Sequence, residues 1–150
     1  MAGDPSDIRN WQRRPDGITT SGKLEPHDPA RLAAIGVRHV VNLALDSHPE
    51  ALAEEAALLA AEEIAYTHIP VPFDAPTPAH VAALAEALAA HPGPHHVHCI
   101  MNFRVTAFFY LLDCTAGVPE PEARARMAAV WNPLDDERAP AAWRALVRGG

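Results

Sequence analysis

The chain has 150 residues, 49% hydrophobic and 21% charged, which is the balance of a folded domain with one core, so we predict a single domain over residues 1–150. Its net charge of −7, with a basic cluster only at Arg9, Arg13 and Arg14, argues against a nucleic-acid partner. No apolar run reaches the roughly 18 residues of a membrane span, and Met1–Asp16 lacks a signal-peptide core, so we expect a cytoplasmic protein without a membrane partner.

The pattern of apolar residues and turn signals predicts strands that alternate with helices. In chain order, we predict two strands at one edge (Asp7–Gln12 and Gly17–Thr20), a helix capped by Asp28 and ended by Gly36, a strand at Val37–Leu45, a helix at Glu50–Glu63, a strand at Tyr66–Val71, a helix at Pro78–His91 capped by Thr77, a strand at His95–His98, and helices at Arg104–Thr115, Glu120–Val130 and Ala139–Val147. This alternation indicates an α/β domain with a mainly parallel central sheet flanked by helices. Three large aromatic residues are expected in the core: Phe108, Trp131 and Trp143.

Three chemically active side chains follow predicted strands. Asp46 comes after Leu45, Asp74 comes shortly after Val71, and Cys99 comes directly after His98. Ligands of parallel α/β sheets bind at the carboxyl ends of the strands, where these residues are expected to gather.

The segment that begins at Cys99 has the pattern of an anion-binding loop. A short loop, Ile100, Met101, Asn102 and Phe103, leads to Arg104 at the predicted start of a helix. Loop N–H groups and the helix dipole favour a bound anion, and a guanidinium can donate hydrogen bonds to two oxygens of a tetrahedral anion. A helix N-terminus and a cationic neighbour also lower the pKa of a cysteine from about 8.5 to about 3.5–7.5. We therefore predict that Cys99 is a nucleophilic thiolate and that the loop and Arg104 bind the substrate.

The second cysteine and the nearby histidines receive simpler interpretations. Cys114 lies in the middle of a predicted helix and is expected to be a structural thiol. His95, His96 and His98 beside Cys99 make a metal site the alternative. Zinc ligands usually come from two separated segments, however, and no second Cys/His group occurs in the chain, so we expect neither a metal nor another cofactor.

The order His98-Cys99, short loop, Arg104 resembles the signature of the cysteine-dependent protein tyrosine and dual-specificity phosphatases. Their usual form has five residues between Cys and Arg, where this chain has four. The chain is more similar to a bacterial branch of that superfamily with a shortened Cys-x4-Arg loop, related to the β-lactamase-hydrolase-like phosphatase-like domains. The likeness extends over nearly the whole chain, at Ile18–Gly22, Val40–Ala44, His68–Val71, Ala75–Thr77, Val97–Cys99, Asn102–Arg104, Ala107–Phe108 and Trp131–Pro133.

The resemblance implies a mechanism through a phosphocysteine. Cys99 would attack phosphorus, Arg104 and the loop amides would hold the phosphoryl oxygens, and Asp74 would protonate the leaving oxygen. His98 would hydrogen-bond to backbone around the loop and help keep the thiol ionised. Thr106 is a supporting residue two places after Arg104, whereas the longer-loop enzymes have Ser or Thr immediately after theirs.

Two positions depart from the family pattern. Asn102 stands where a glycine is usual, and Asn is the non-glycine residue that best tolerates a left-handed backbone. Relatives tend to place an Asp where this chain has Pro72, and Asp74 on the same loop is the candidate acid here. The alternative for Asp74 is a loop carboxylate or a charge near the start of the helix that opens at Pro78, and Asp46 is the reserve candidate for the acid.

Three functions remain open from the sequence. The first is a phosphatase whose partner is a phosphorylated substrate, either a phosphoprotein or a small phosphomonoester. The second is a rhodanese-like sulfurtransferase that carries a persulfide on Cys99, because rhodanese loops often have this six-residue length. The third is a phosphate- or phosphoprotein-binding module that lacks turnover, which the absence of a general acid would favour.

Overall fold

The computed structural model describes residues 3–149, which form five strands and six helices. The strands are β1 (Gln12–Arg13), β2 (Thr19–Ser21), β3 (His39–Asn42), β4 (Ala65–His68) and β5 (His95–His98). The helices are α1 (Asp28–Ala34), α2 (Glu55–Ala61), α3 (Pro78–Ala90), α4 (Phe103–Thr115), α5 (Glu120–Ala128) and α6 (Ala141–Gly149). Met1, Ala2 and Gly150 lie outside the described residues. All three fall within the domain predicted over residues 1–150, and Met1 and Ala2 also fall within the segment Met1–Asp16 that was predicted to lack a signal-peptide core.

The sheet confirms the predicted α/β class. Its strand order is β1-β2-β5-β3-β4, with β1 antiparallel to β2 and the other three pairs parallel. The register places Ser21, His98, Asn42 and His68, the last residues of the four parallel strands, in one row. The loops that follow these strands therefore begin at one edge, which is where sheets of this kind bind ligands.

Each face of the sheet is covered by helices. Val40 belongs to a buried cluster with α1 and α2, whereas its neighbour Val41 belongs to a larger cluster with α3, α4, α5 and α6. Successive strand residues point to opposite faces, so a single strand supplies both clusters. The predicted aromatic anchors Phe108, Trp131 and Trp143 are all buried in the larger cluster. Within residues 3–149, no helix combines the length and the apolar character needed to cross a membrane.

Three predicted strands are shorter in the structure, because turns, side-chain hydrogen bonds or a proline end the hydrogen-bonded ladder of the sheet. Most of the predicted strand Asp7–Gln12 is not extended, and Asn10 within it has a left-handed φ of 50°. β3 ends at Asn42 because its side-chain oxygen accepts the N–H of Ala44 at 2.9 Å and turns the chain. β4 ends before Pro70, which has no N–H for a ladder.

Helix α2 is about half as long as the predicted helix Glu50–Glu63. Glu54 and Glu63 both have a φ of 59° and lie on either side of it, and left-handed residues interrupt a right-handed helix. Its first residue, Glu55, is buried although it is acidic. The helix therefore begins where the tertiary structure holds Glu55, not where helix propensity first rises.

Helix α1 corrects the predicted cap. Asp28 is the first helical residue, and its carboxylate accepts hydrogen bonds from the Glu25 N–H at 2.7 Å and from Arg31 Nη1 at 2.9 Å. Gly36 follows the helix with a φ of 90°, as expected of a glycine that ends a helix.

The later helices match their predictions to within two residues at each end. Thr77 caps α3 as predicted: its hydroxyl accepts the His80 N–H at 3.3 Å, and its own N–H donates to His80 Nδ1 at 3.1 Å. This reciprocal pair joins residues three positions apart, so the local sequence is enough to predict a cap here.

Three histidines at the amino end of the sheet make stability sensitive to acid. His39 is buried, stacks on His91 at 3.9 Å between ring centroids, and shares a hydrogen bond with His95 at 2.9 Å. Burial, together with the nearby charges of His91 and His95, lowers the pKa of His39 to about 4. The unfolded chain therefore binds a proton at a higher pH than the folded chain, and stability is lost as the pH falls from about 6.5 towards 4.

Because His39 is protonated at a higher pH in the unfolded chain, we expect the free energy of unfolding to fall by about 2 kcal/mol when the pH is lowered from 7 to 5. Urea unfolding at the two pH values measures this change, and His39→Gln, which does not titrate, should show a loss smaller by about that amount. Exposed His27→Gln is the matched control and should keep the wild-type loss. An equal pH dependence in wild type and His39→Gln would contradict the assignment.

Candidate active site

The loop from Cys99 to Asn102 joins β5 to α4 at the carboxyl edge of the sheet. Cys99 is fully buried, and its N–H donates to Ser21 O at 3.3 Å. Asn102 has a φ of 69°, so the residue in the position usual for glycine adopts the left-handed conformation. Its side-chain nitrogen donates to Asn10 O at 2.8 Å and to Thr20 Oγ1 at 3.0 Å. The turn into α4 is thereby tied to the neighbouring strand and to the N-terminal segment.

The outer side of this loop is held by the N-terminal segment. The carbonyl oxygen of Ile100 accepts the Lys23 N–H at 2.9 Å, and that of Met101 accepts Asn10 Nδ2 at 2.9 Å. Gly22 lies so close that a Cβ atom there would be 2.4 Å from Ile100 O, so a side chain would displace the loop. These contacts hold the carbonyl groups of the loop, which would repel an anion, in hydrogen bonds.

Arg104 lies in the first turn of α4 and is buried. Its Nη1 donates to Val71 O at 2.9 Å, and its guanidinium carbon lies 5.6 Å from the centre of the Phe73 ring. Its Nε is buried and has no partner among residues 3–149. Buried donors are nearly always paired, so an unpaired guanidinium N–H indicates a place where an acceptor binds.

A pocket of about 350 Å³ opens above these groups, a volume suited to a small ligand. It is lined by the loop and helix residues Cys99, Ile100, Met101, Phe103 and Arg104, and by Leu45, Ser47, His48 and Phe73 from the loops after β3 and β4. Of the large hydrophobic side chains in residues 3–149, Phe73 and Met101 are the exposed ones. The structure thus brings together five of the predicted site residues in one cavity.

A larger groove of about 660 Å³ lies between α3, α4 and α6. It is lined by apolar residues, Thr115 and glycine, with no ionisable side chain among them. We therefore assign the chemistry to the smaller pocket, which contains a thiol and a guanidinium.

The two aspartates that follow strands do not line the pocket. Asp74 is exposed on the loop after β4, directly after the pocket residue Phe73. Asp46 is exposed on the loop after β3, and its carboxylate lies 3.8 Å from His68 Nδ1. Both aspartates are next to pocket residues in sequence, since Asp74 follows Phe73 and Asp46 lies between Leu45 and Ser47.

The two predicted supporting residues make different contacts. His98 Nδ1 lies 3.1 Å from Cys99 O, and its Nε2 lies 2.6 Å from the buried carboxylate of Glu55. The Thr106 hydroxyl donates to Asn102 O at 3.0 Å, within the first turn of α4. Thr106 therefore stabilises the start of the helix that presents Arg104.

Sequence reasoning missed Ser47 and His48 on the pocket wall. Their place after β3 was a usable signal, but the prediction considered only Asp46 there. His48 Nδ1 accepts the Glu50 N–H at 3.0 Å, so the proton of the neutral ring lies on Nε2. His48 therefore has a proton donor, Nε2, on a residue of the pocket wall.

Tryptophans hold the aromatic wall of the pocket in place. Trp131 stacks on Phe103 with ring centroids 4.8 Å apart, and its ring lies 5.7 Å from that of Phe73. Trp143 Nε1 donates to Phe73 O at 2.5 Å. The core aromatic residues thus also position two residues that line the pocket.

The histidines of β5 are engaged in other contacts. His96 is hydrogen-bonded to Thr19 Oγ1 and Ser21 Oγ, both at 2.8 Å, and its burial lowers its pKa well below the usual value. In the part of the chain that the structure describes, no three His, Cys, Asp or Glu side chains are grouped to hold a metal ion.

We expect Cys99 to be the reactive thiol although Cys114 is the more exposed of the two. Only Cys99 lies beside a helix N-terminus and shares a pocket with a guanidinium, and both features favour a thiolate. Iodoacetamide labelling at pH 6, followed by peptide mapping, should modify Cys99 first. Preferential alkylation of Cys114 would show that accessibility, not ionisation, governs reactivity here.

One family model matches most of the chain. It is described as "Beta-lactamase hydrolase-like protein, phosphatase-like domain" and matches residues 12–116, which include the sheet, the loop and Arg104. No curated protein is similar enough to the chain to be matched to it.

Solved structures share the fold. A putative phosphatase (DUF442) from Shewanella putrefaciens CN-32 is 30% identical, with a TM-score of 0.85 over 96% of this chain and 90% of that one. P. aeruginosa TpbA, in complex with pTyr, is 23% identical, with a TM-score of 0.72 over 100% and 88%. The core catalytic domain of the S. cerevisiae PP-IP phosphatase SIW14 is 12% identical, with a TM-score of 0.74 over 94% and 85%.

Proposed function

The chain belongs to the phosphatase-like domain family of beta-lactamase hydrolase-like proteins, and on that basis we propose that it hydrolyses phosphomonoesters through a phosphocysteine on Cys99. The observation that carries this proposal is Arg104. Its guanidinium is buried in the same pocket as the Cys99 thiol, with one N–H unpaired. A phosphoryl group provides the acceptor oxygens that such a donor requires.

The reaction has two steps. The Cys99 thiolate attacks phosphorus and forms an S–P bond, while the P–O bond to the leaving group breaks and the leaving oxygen takes a proton. Water then attacks phosphorus, the S–P bond breaks, and inorganic phosphate leaves with the Cys99 thiolate restored. Arg104 and the N–H groups of the loop stabilise the oxygen charge in both transition states.

The proton for the leaving oxygen is assigned to Asp74. Its loop also carries Phe73 on the pocket wall and Val71, whose carbonyl accepts from Arg104. A movement of this loop towards a bound substrate would bring the carboxyl group to the leaving oxygen. Loops of this kind often close only when substrate is bound.

The pocket walls favour a substrate of the tyrosine or dual-specificity type. Leu45, Phe73, Met101 and Phe103 provide apolar surface around the thiol. TpbA was solved in complex with pTyr and SIW14 is a PP-IP phosphatase, so proteins of this fold act on phosphorylated ligands of different kinds. A single guanidinium below an apolar wall suits one phosphoryl group on an apolar carrier better than a densely charged polyphosphate.

Rapid quenching with a phosphorylated substrate tests the intermediate. The Cys99 peptide should gain about 80 Da, as expected for transfer of a phosphoryl group to the nucleophile. Cys114→Ser is the matched control and should keep the adduct, whereas Cys99→Ser should lose it.

The second candidate function is a sulfurtransferase, because four residues separate Cys99 from Arg104 as in many rhodanese loops. The mass of the Cys99 peptide distinguishes this function from a phosphatase. Incubation with thiosulfate should leave no stable sulfur adduct on Cys99. An increment of about 32 Da, with thiosulfate:cyanide transfer and no phosphatase activity, would overturn the proposal.

A further inference from the structure

A buried acid–base pair lies directly behind the nucleophile. Glu55, the first residue of α2, places Oε2 2.6 Å from His98 Nε2, and both side chains are at least 95% buried. His98 precedes Cys99, and its other ring nitrogen faces Cys99 O at 3.1 Å. The pair therefore joins a helix on one face of the sheet to the backbone of the nucleophile.

The hydrogen-bond partners fix how many protons the pair holds. The carbonyl oxygen of Cys99 is an acceptor only, so His98 Nδ1 must carry a proton. The contact between His98 Nε2 and Glu55 requires one further proton, which lies either on the ring or on the carboxyl group. When it lies on the ring, His98 is an imidazolium with its positive end towards Cys99, and Glu55 is its counter-ion.

Two other ionisable groups lie next to the pair. Burial and the negative charge of Glu55 raise the pKa of Tyr66, on β4, to about 12. Burial and the positive charge of His98 lower that of His96, on β5. Asn42 donates to Tyr66 Oη at 3.1 Å and also faces Glu55. Tyr66 and His96 are thus titratable groups beside the pair, and both are uncharged at neutral pH.

We propose that Glu55 is a positioning residue that holds His98 as an imidazolium and thereby favours the thiolate of Cys99. The inference rests on the proposed function, because it concerns the same nucleophile. A buried charge is retained only with a partner, so without the carboxylate the buried ring would give up its second proton. Cys99 would then lose the positive charge on the residue that precedes it.

This role also accounts for the place where α2 begins. The good helix formers of this segment start several residues earlier, yet the helical conformation starts at Glu55, after the left-handed Glu54. Glu55 is buried and contacts His98 at the end of β5, whereas Glu54 is exposed. Placing a carboxylate beneath the sheet is costly unless it is paired, and the pairing here is with His98.

The pH dependence of Cys99 alkylation tests the proposal without requiring phosphatase activity. In Glu55→Gln, the midpoint of the pH profile for iodoacetamide modification of Cys99 should rise by about one unit, so labelling below the midpoint slows by up to about tenfold. Glu54→Gln removes the same charge from the adjacent exposed residue and should leave the midpoint unchanged. Glu55→Asp keeps the charge on a shorter side chain, so its midpoint should lie between those of the wild type and Glu55→Gln.

His98→Asn provides a second route if Glu55→Gln does not fold. An asparagine amide can still donate to Cys99 O but has no positive ring, so the midpoint should rise by a similar amount. Adding Glu55→Gln to His98→Asn should produce no further rise, since the carboxylate acts through the ring.

The outcomes separate the inference from the proposed function. If Cys99 reacts at pH 6 in the wild type but neither variant moves the midpoint, the inference is wrong and the phosphatase proposal stands. If Cys99 is not alkylated at any pH up to 9, both are overturned.

Discussion

Cys99→Ser and Arg104→Ala should each reduce hydrolysis of para-nitrophenyl phosphate to the background rate, a loss of at least about 10²–10³-fold. The serine hydroxyl is not ionised in a site built for a thiolate, so attack on phosphorus is lost. Alanine at position 104 removes a guanidinium that lines the pocket and whose buried Nε has no partner among residues 3–149. Steady-state kinetics on the purified variants measure both losses.

Arg104→Lys should also lose this activity, because an ammonium is a point charge and cannot donate two coplanar hydrogen bonds to two phosphoryl oxygens as a guanidinium does. It would also leave Val71 O, which accepts from Arg104 Nη1 at 2.9 Å, without the same donor. Matched controls are Cys114→Ser and Arg138→Ala, the latter at a guanidinium that is 94% exposed, and both should keep wild-type activity. Full activity in Cys99→Ser would place the chemistry elsewhere in the chain or in a contaminant.

Asp74→Asn should slow substrates with poor leaving groups far more than substrates with good ones. General acid catalysis contributes about 10²–10⁴-fold, and this contribution is needed most when the leaving oxygen is strongly basic. We therefore expect phenyl phosphate hydrolysis to fall by about 10²-fold or more and para-nitrophenyl phosphate hydrolysis to change little. The ratio of the two kcat/KM values, in wild type and variant, is the measurement.

His48→Asn is the natural comparison, because His48 lines the pocket and has a proton on Nε2 while Asp74 is exposed. If Asp74 is the acid, the leaving-group dependence of His48→Asn should match that of the wild type. A steeper dependence in His48→Asn together with an unchanged one in Asp74→Asn would contradict the assignment to Asp74.

The parts of the fold that depend on near neighbours were predictable. The cap at Thr77, the stop at Gly36 and the strand His95–His98 were predicted at the residues where they occur. Each depends on contacts within three or four residues or on a run of strand-forming side chains, so the local sequence contains the necessary information.

The candidate site was predictable along the loop but not across the pocket. Cys99, the loop and Arg104 are contiguous in sequence, and a strand end that meets a helix start indicates an anion site by itself. Ser47, His48 and Phe73 join them only because the strands before them end in register with β5. One sequence cannot show which loops share an edge until the strand order is known.

Periodicity and adjacent residues were enough to predict the alternation of strands and helices, the α/β class and the Cys99–Arg104 loop. The start of α2, the loss of the strand expected at Asp7–Gln12, and the pairing of Glu55 with His98 became evident only in the folded chain. These features depend on contacts between residues more than 40 positions apart, such as Asn10 with Met101 and Glu55 with His98. Local propensity is worth less than about 1 kcal/mol per residue, so a buried charge pair or a hydrogen bond to the active-site loop overrides it.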